Sequence, residues 1–230
     1  MALNESKGQM YSWVTHTWNP IKGECPHGCS YCYMKRWGKQ KPIRFDEKEL
    51  KTDLGTGNFI FVGSSCDMFA DDIPYEWIGK TLWYCQKYDN RYLFQTKNPK
   101  RFMDYIDASV ITDKSVLCTT IETNRCYPSV MKQSPRPSLR ASWMNEVSEV
   151  INTYVTIEPI MDFDISDLVA MIKECRPVQV NIGADSGNNH LPEPSKEKIL
   201  ELIHELEKFT TIDKKHNLDR ILNKQVCVAG

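Results

Sequence analysis

Short apolar runs rich in β-branched and aromatic residues alternate with amphipathic stretches along most of the chain. The runs predict six strands, at residues 11–17, 58–63, 92–96, 115–120, 153–158 and 178–183. The stretches between them predict helices at about 74–87, 138–149 and 166–174, and after Asn98 and Ser195. A weak helical pattern and a possible last strand at residues 225–228 follow.

Strands that alternate with helices predict a parallel sheet with right-handed crossovers. Six strand–helix units are too few for a complete eight-unit barrel. The predicted fold class is therefore α/β, a partial (β/α)6 barrel of the TIM type. We expect a single domain over residues 1–230, with a core at about 11–210 and a short tail at 211–230.

The composition excludes several classes of protein. The 230 residues are 41% hydrophobic and 26% charged, as in globular domains, and the net charge of −1 gives no general attraction to nucleic acids or membranes. No apolar stretch is long enough to be a signal core or a membrane span, so we expect a cytoplasmic protein without a membrane partner. In that reducing compartment the nine cysteines are not expected to form disulfides.

Three of the cysteines, Cys25, Cys29 and Cys32, lie together in one short loop after the first predicted strand. Three thiolates at this spacing can bind three irons of a 4Fe–4S cluster and leave the fourth iron without a protein ligand. A cluster with four cysteine ligands mostly transfers electrons, whereas an open iron can hold a small molecule and react with it. The loop therefore predicts a reactive iron–sulfur cluster.

Polar residues follow the predicted strands, at the edge where α/β barrels carry their chemistry. Glu122 and Glu158 extend apolar strands without capping a helix, which favours a role in a site. The other polar residues at this edge include Asn19, Ser64, Ser65, Asp67, Lys97, Thr120 and Asp185.

The cysteine spacing, with Tyr31 directly before the third cysteine, resembles the signature of radical S-adenosylmethionine (SAM) enzymes. Further segments resemble a phage- and prophage-associated radical-SAM-like family of unknown function, which is distantly similar to the spore photoproduct lyases that repair DNA photodimers. Two segments depart from that pattern, residues 183–187 and residues 224–225. The matching segments are Thr17-Trp18-Asn19-Pro20, Phe61-Val62-Gly63-Ser64, Thr96-Lys97-Asn98-Pro99, Ile157-Glu158-Pro159 and Ser186-Gly187, within about residues 11–225.

The resemblance implies a 4Fe–4S cluster on Cys25, Cys29 and Cys32, with SAM bound to its open iron. Reductive cleavage of SAM would give methionine and a 5′-deoxyadenosyl radical that abstracts hydrogen from a substrate. The electron would come from a reductase or from a flavodoxin- or ferredoxin-type donor. The cofactor residues that the resemblance implies are Tyr31, Ile182 and Gly183 at the adenine, Gly63, Ser64 and Ser65 at the methionine amino group, and Thr120 and Glu122 at the ribose. The resemblance assigns no cofactor contact to Glu158, Asp67 and Lys97, which are therefore the candidates for contact with the substrate. Asp185 is a candidate for contact with the substrate or the cofactor.

The relation to photoproduct lyases suggests a nucleobase substrate, such as a modified pyrimidine in phage DNA. Cys66 and Cys118 are candidate hydrogen-atom donors, with an inert buried cysteine as the alternative for each. Three groups of basic residues would suit the phosphates of a nucleotide or a nucleic acid if they share one rim. These groups are Lys35, Arg36, Lys39, Lys41 and Arg44; Lys97, Lys100 and Arg101; and Arg136 and Arg140.

Two other interpretations of the cysteine loop remain open. The first is a Cys3His zinc site, with His16 or His27 as fourth ligand, in a structural or nucleic-acid-binding module. Apart from this zinc interpretation, His27 is expected to be exposed or to contact a metal-binding residue without binding metal itself. The second is an iron–sulfur electron carrier, in which Cys66 would supply the fourth ligand.

Overall fold

A computed structural model describes residues 3–8, 10–108 and 110–223. Ten strands are present in this part of the chain, and eight of them form one sheet in the order β1-β2-β5-β6-β7-β8-β9-β10. The strands are β1 (Asn4–Glu5), β2 (His16–Trp18), β3 (Ile21–Lys22), β4 (Arg44–Phe45), β5 (Phe59–Val62), β6 (Arg91–Thr96), β7 (Ser115–Thr120), β8 (Thr153–Ile157), β9 (Gln179–Ile182) and β10 (Thr211–Lys214).

All pairings in this sheet are parallel except that of β1 with β2. β3 and β4 form a separate antiparallel pair. The α-helices are α1 (Tyr75–Cys85), α2 (Lys100–Ile106), α3 (Pro128–Met131), α4 (Pro137–Ser148), α5 (Ile165–Glu174), α6 (Lys196–Glu207) and α7 (Asp219–Leu222), and short 3₁₀ helices lie at Tyr33–Trp37, Glu47–Lys51 and His216–Leu218.

The alternation of side chains along the strands separates two apolar layers. Residues such as Ile60 and Val155 point to the layer where the helices pack, as Leu82 and Leu168 do from the other side. Their neighbours in the strands, such as Phe61, belong to a second cluster on the opposite face. Helices on one face of a curved parallel sheet are the arrangement of a partial (β/α) barrel, so the predicted fold class is confirmed.

The six predicted strands are present, but two predictions about the ends of the sheet were wrong. Residues 11–14 form a turn, and β2 covers only His16–Trp18. Tyr11 lies across the inner face of the sheet, donates a hydrogen bond to Gln95 Oε1 (2.8 Å) and stacks on Trp13. The turn therefore lies against the inner face of the sheet. Trp13 packs on Phe59 and Tyr154 near the N-terminal ends of the strands, whereas Tyr11 reaches Gln95 and Lys215 Nζ (4.5 Å from its ring centre) toward the C-terminal ends. The alternating pattern alone could not distinguish this turn from a strand.

The second correction concerns the predicted tail. Thr211–Lys214 forms β10, a seventh parallel strand that pairs with β9. Its pattern was missed because it is short, half-exposed and contains two charged residues. The predicted strand at residues 225–228 lies outside the described residues. No helix within the described ranges has the length and apolar character that crossing a membrane requires.

Candidate functional site

The cysteine loop lies at the C-terminal edge of the parallel strands, directly after β2 and β3. Cys29 is buried, with its sulfur 3.7 Å from the Met131 carbonyl, while Cys25 and Cys32 are partly exposed. Backbone hydrogen bonds from Ser30 to the Val130 carbonyl and from Gln133 to the His27 carbonyl tie the loop to the α3 segment. The three thiols are therefore held on an ordered loop at the edge where the sequence predicted the site.

Asp67, after β5, fastens this loop to the sheet. Its carboxylate accepts hydrogen bonds from His27 Nε2 (2.8 Å), Thr96 Oγ1 (3.0 Å) and the backbone amides of Lys97 (2.8 Å) and Phe69 (3.0 Å). Burial would raise the pKa of Asp67, but the charge and hydrogen bonds of its partners outweigh burial and lower it. His27 is itself 5% exposed. It supports the loop through Asp67, and Asp67 has its acceptors occupied within the protein.

Glu122, after β7, is a second anchor and is completely buried. One carboxylate oxygen accepts from Arg140 Nη1 at 2.7 Å, and the other accepts from the Tyr31 hydroxyl and lies 3.8 Å from Lys97 Nζ. Burial would raise the pKa of Glu122, but Arg140 and Lys97 hold it below its ordinary value. Glu122 thus joins the cysteine loop to α4, and it has no exposed oxygen for the ribose contact expected of it.

The polar groups of Thr120 and Tyr31 are likewise occupied by hydrogen bonds within the protein. The Thr120 hydroxyl accepts from Gln95 Nε2 (3.1 Å), and its carbonyl accepts from Arg140 Nη1 (2.7 Å). The Tyr31 ring lies beneath Lys97 Nζ, which is 5.3 Å from the ring centre. The Lys97 ammonium is largely buried yet keeps a raised pKa, because the acidic groups around it, including the Cys29 thiol, outweigh its burial.

Gly63, Ser64 and Ser65 form the turn after β5, where they were predicted. Gly63 has φ +78°, and a Cβ at this position would lie 3.3 Å from Met68 Cγ, so the turn favours glycine. Asn19 Oδ1 accepts from the Ser65 amide (2.8 Å) and from both serine hydroxyls. The turn is thereby fixed beside the chain that leads into the cysteine loop.

The other end of the sheet carries a second polar group. Glu158 accepts from Lys215 Nζ (2.6 Å) and Asn217 Nδ2 (3.1 Å), and Gly183 lies so close that a Cβ there would be 2.8 Å from Glu158 Oε1. Sequence reasoning missed Lys215 and Asn217 because it placed them in a tail. Asp185 accepts from Gly187 and Asn189 within its own turn.

The backbone groups of Ile182 and Gly183 are paired inside the fold. The Ile182 carbonyl accepts from Lys215, and Gly183 donates to Ile157 and accepts from Ile160. Their predicted contact with adenine remains a prediction.

The two candidate hydrogen donors differ in position. Cys66 lies beside Cys25, and the hydrogen bond between the two sulfurs lowers the pKa of Cys25 and raises that of Cys66. Cys118 is fully buried on the inner face among Phe61, Leu93 and Val116. Cys66 is thus at the cysteine loop, whereas Cys118 lies in an apolar layer.

The three basic groups do not share one rim. Arg101 is 4% exposed and donates to the carbonyls of Ala70 and Ile73, and Arg140 is fully buried on Glu122. Only the group between residues 35 and 44 is fully on the surface. The condition for a common phosphate-binding rim is therefore not met, because Arg101 and Arg140 serve as internal hydrogen-bond donors.

The donor chemistry of the loop fits an iron–sulfur cluster. It offers three thiols. The hydrogen bond with Cys66 lowers the pKa of Cys25 and favours the thiolate form that binds metal, whereas burial raises the pKa of Cys32. Within the described residues no three His, Cys, Asp or Glu side chains are grouped closely enough to hold a single metal ion. His27 is bonded to Asp67 and His16 Nδ1 to Thr15, which speaks against the Cys3His zinc interpretation.

Solved structures with the same fold include radical SAM enzymes. A point mutant of spore photoproduct lyase aligns over 93% of this chain and 80% of its own, with a TM-score of 0.64 and 11% identity. Spore photoproduct lyase complexed with dinucleoside spore photoproduct aligns over 88% and 64%, with a TM-score of 0.59 and 13% identity. Streptococcus suis SuiB bound to S-adenosylmethionine aligns over 91% and 52%, with a TM-score of 0.56 and 10% identity.

At these identities the likeness establishes the fold. No curated protein matches the sequence. The family profile described as "Protein of unknown function (DUF5131)" matches residues 9–195, most of the chain. The chain therefore belongs to the DUF5131 family, and its fold is the partial barrel of radical SAM enzymes.

Proposed function

We propose that this protein is a radical SAM enzyme that holds a 4Fe–4S cluster on Cys25, Cys29 and Cys32. The observation that carries the proposal is the position of this three-thiol loop at the C-terminal edge of a partial barrel of the radical SAM type. When bound, the cluster and SAM would supply the 5′-deoxyadenosyl radical that removes hydrogen from a substrate. The fold shared with spore photoproduct lyase and SuiB supports this activity.

The chain's own residues would hold the loop and shield the reaction. Asp67 and Glu122 hold the loop in place through His27 and Tyr31, so the three thiols would bind irons from a loop that is anchored to the sheet. Lys97 adds a positive charge next to the loop, 5.3 Å from the Tyr31 ring centre. Trp13, packed on Phe59 and Tyr154, fills the N-terminal end of the barrel and excludes water from that side of the interior.

For the substrate we propose a nucleobase, such as a modified pyrimidine in phage DNA. Support comes from the dinucleoside spore photoproduct bound by one protein of the same fold. Glu158 and Lys97 are the proposed polar contacts, since their side chains retain 20% and 17% exposure. Cys66, next to Cys25, is the proposed hydrogen donor to the substrate radical. Asp67 and Asp185 would act by holding their turns.

The test is anaerobic reconstitution with iron and sulfide, followed by reduction with dithionite in the presence of SAM. We expect about four irons per chain, and chromatography should detect 5′-deoxyadenosine. Cys29→Ala should lose both signals. Cys126→Ala, which removes an exposed cysteine outside the loop, is the matched control and should keep both. Tightly bound zinc without SAM cleavage would refute the proposed enzyme.

The substrate is tested separately with the reconstituted protein. Oligonucleotides, free nucleosides, peptides and small metabolites are compared by the amount of product formed per 5′-deoxyadenosine. Coupling to pyrimidine-containing oligonucleotides supports the nucleobase. Coupling to a peptide or metabolite, with none to any nucleic acid, contradicts it and leaves the radical chemistry intact.

A further inference from the structure

The segment that follows the cysteine loop is attached to both ends of that loop. This segment, residues 33–45 and called here the basic segment, begins directly after Cys32 with a 3₁₀ helix. It then returns toward Cys25, because the Glu24 amide donates to the Lys41 carbonyl at 2.9 Å. A Cβ on Gly23 would lie 2.6 Å from the Pro42 carbonyl oxygen, so the backbones at these two residues are in close contact. The basic segment therefore lies beside the loop of the proposed cluster site.

The basic segment has an unusual concentration of charge. It contains Lys35, Arg36, Lys39, Lys41 and Arg44 and no acidic residue, and all five side chains are exposed. The chain total is −1, so the remaining residues carry a net charge of −6. Within the described ranges no ion pair involves any of these five side chains, whereas the acidic residues that follow, Asp46 and Glu49, are paired with Lys22.

Exposed aromatic rings lie among these charges. Trp37 is 62% exposed and Tyr33 is 40% exposed, and their rings meet edge to face at 5.7 Å. The Arg36 guanidinium is 5.3 Å from the Trp37 ring centre. An exposed apolar centre surrounded by unpaired positive charges is typical of a docking surface for an acidic protein.

The position of the basic segment decides between two kinds of acidic partner. Its end, Phe45, packs on Trp77 of α1, at the side of the sheet formed by β2 and β5. Glu158 and Lys215, the polar pair of the interior, directly follow β8 and β10, at the other end of the strand order. A nucleic-acid substrate must reach the interior, whereas an electron donor needs only to approach the cluster from outside. The geometry thus favours the donor.

We propose that the basic segment is the docking surface for an acidic one-electron carrier protein of the flavodoxin class. The proposal rests on the proposed function, since it requires a cluster on the adjacent loop. An anionic flavodoxin hydroquinone would give up one electron to become the neutral semiquinone, and the cluster would gain that electron. The positive charges steer the acidic donor, and Trp37 provides the apolar contact close to Cys32.

The test compares two double variants of the reconstituted protein. Lys39→Glu with Lys41→Glu reverses two charges of the basic segment, and Lys100→Glu with Lys173→Glu reverses two exposed charges elsewhere. Binding of flavodoxin is measured by surface plasmon resonance at low and high ionic strength, with and without the cluster. SAM cleavage is driven by flavodoxin hydroquinone in one series and by dithionite in another. Trp37→Ala is measured alongside.

We expect the variant of the basic segment to bind flavodoxin on the order of tenfold more weakly at low salt, with a smaller loss at high salt. Flavodoxin-driven cleavage should fall with binding, and dithionite-driven cleavage should not change. Trp37→Ala should weaken binding at both ionic strengths.

Equal flavodoxin binding and flavodoxin-driven cleavage in both double variants overturn the docking surface. A loss of binding to a single-stranded oligonucleotide, with flavodoxin binding unchanged, also overturns it and assigns the segment to nucleic acid. Failure of dithionite-driven cleavage in the unmodified protein refutes the proposed function instead, so the two failures are distinct.

Discussion

Replacing Arg140 with methionine removes the positive partner of the buried Glu122 carboxylate. Both side chains are fully buried, and the nitrogen–oxygen distance is 2.7 Å. Arg140 also donates to the carbonyls of Thr120 and Pro135 at 2.7 Å each. Methionine fills similar volume but donates nothing, so the variant leaves a buried charge and two buried carbonyls short of a partner.

The magnitude follows from these contacts. Removing one partner of a buried ion pair costs about 3–5 kcal/mol of folding free energy. We expect a value of about 3 kcal/mol here, because Lys97 remains 3.8 Å from Glu122 and still offsets its charge. Loss of the carbonyl hydrogen bonds adds about 1 kcal/mol. A loss of about 4 kcal/mol lowers the melting temperature of a domain of this size by about 8–16 °C. We expect that shift for Arg140→Met.

Acid stability gives an independent signature of the same pair. In the unmodified protein the pKa of Glu122 is lowered, so its contribution to stability is present above the unfolded pKa and is lost as the pH falls through the lower folded value. Without Arg140, burial dominates and the pKa of Glu122 rises. The variant should therefore lose less stability than the unmodified protein between neutral pH and pH about 4.

The assay is thermal unfolding by circular dichroism, with urea titration for the free energy of unfolding. Glu122→Gln and the double variant complete a thermodynamic cycle, and the double variant should be more stable than the two single losses predict. A melting temperature for Arg140→Met within about 2 °C of the unmodified protein, or additive losses in the cycle, would refute the reasoning.

Three further predictions concern the loop, the interior and the surface. Gly23→Ala should lower the melting temperature and the iron content together, because a Cβ there meets the backbone of the basic segment at 2.6 Å and Gly23 has φ +119°; an unchanged iron content would contradict this. Gly183→Ala should displace Glu158, which lies 2.8 Å from the added Cβ, and lower substrate-coupled turnover more than uncoupled SAM cleavage; equal losses would argue against a substrate role for Glu158. Asp162 has a lowered pKa, chiefly from its hydrogen bond to Lys198. Its contribution to stability should therefore be lost progressively as the pH falls from its ordinary pKa through the lower folded value. Lys198→Met should flatten that part of a melting-temperature profile, whereas an unchanged profile would show that the pair contributes nothing.

Local sequence determined the repeating part of this protein. Runs such as residues 115–120 and 153–157 are strands because continuous β-branched and apolar residues fit a sheet buried on both faces. The helix after Ser195 was predictable from its cap and apolar spacing, and the Ser195 hydroxyl indeed accepts from the Lys198 amide. The spacing of three cysteines within eight residues is also local, and it identified the loop without any structure.

Long-range contacts were decided only by the tertiary structure. The partners of Glu122 come from residues 31 and 140, and those of Glu158 from residues 215 and 217. A pattern of polar strand ends cannot distinguish a carboxylate that holds the fold from one that faces a substrate, because both are acidic residues at the same position in a strand. That difference depends on which distant side chains occupy the oxygens. The sequence alone therefore determined that the cysteine loop and the polar strand ends lie at one edge of the sheet, while packing across the sheet decided which of their polar groups are occupied within the fold.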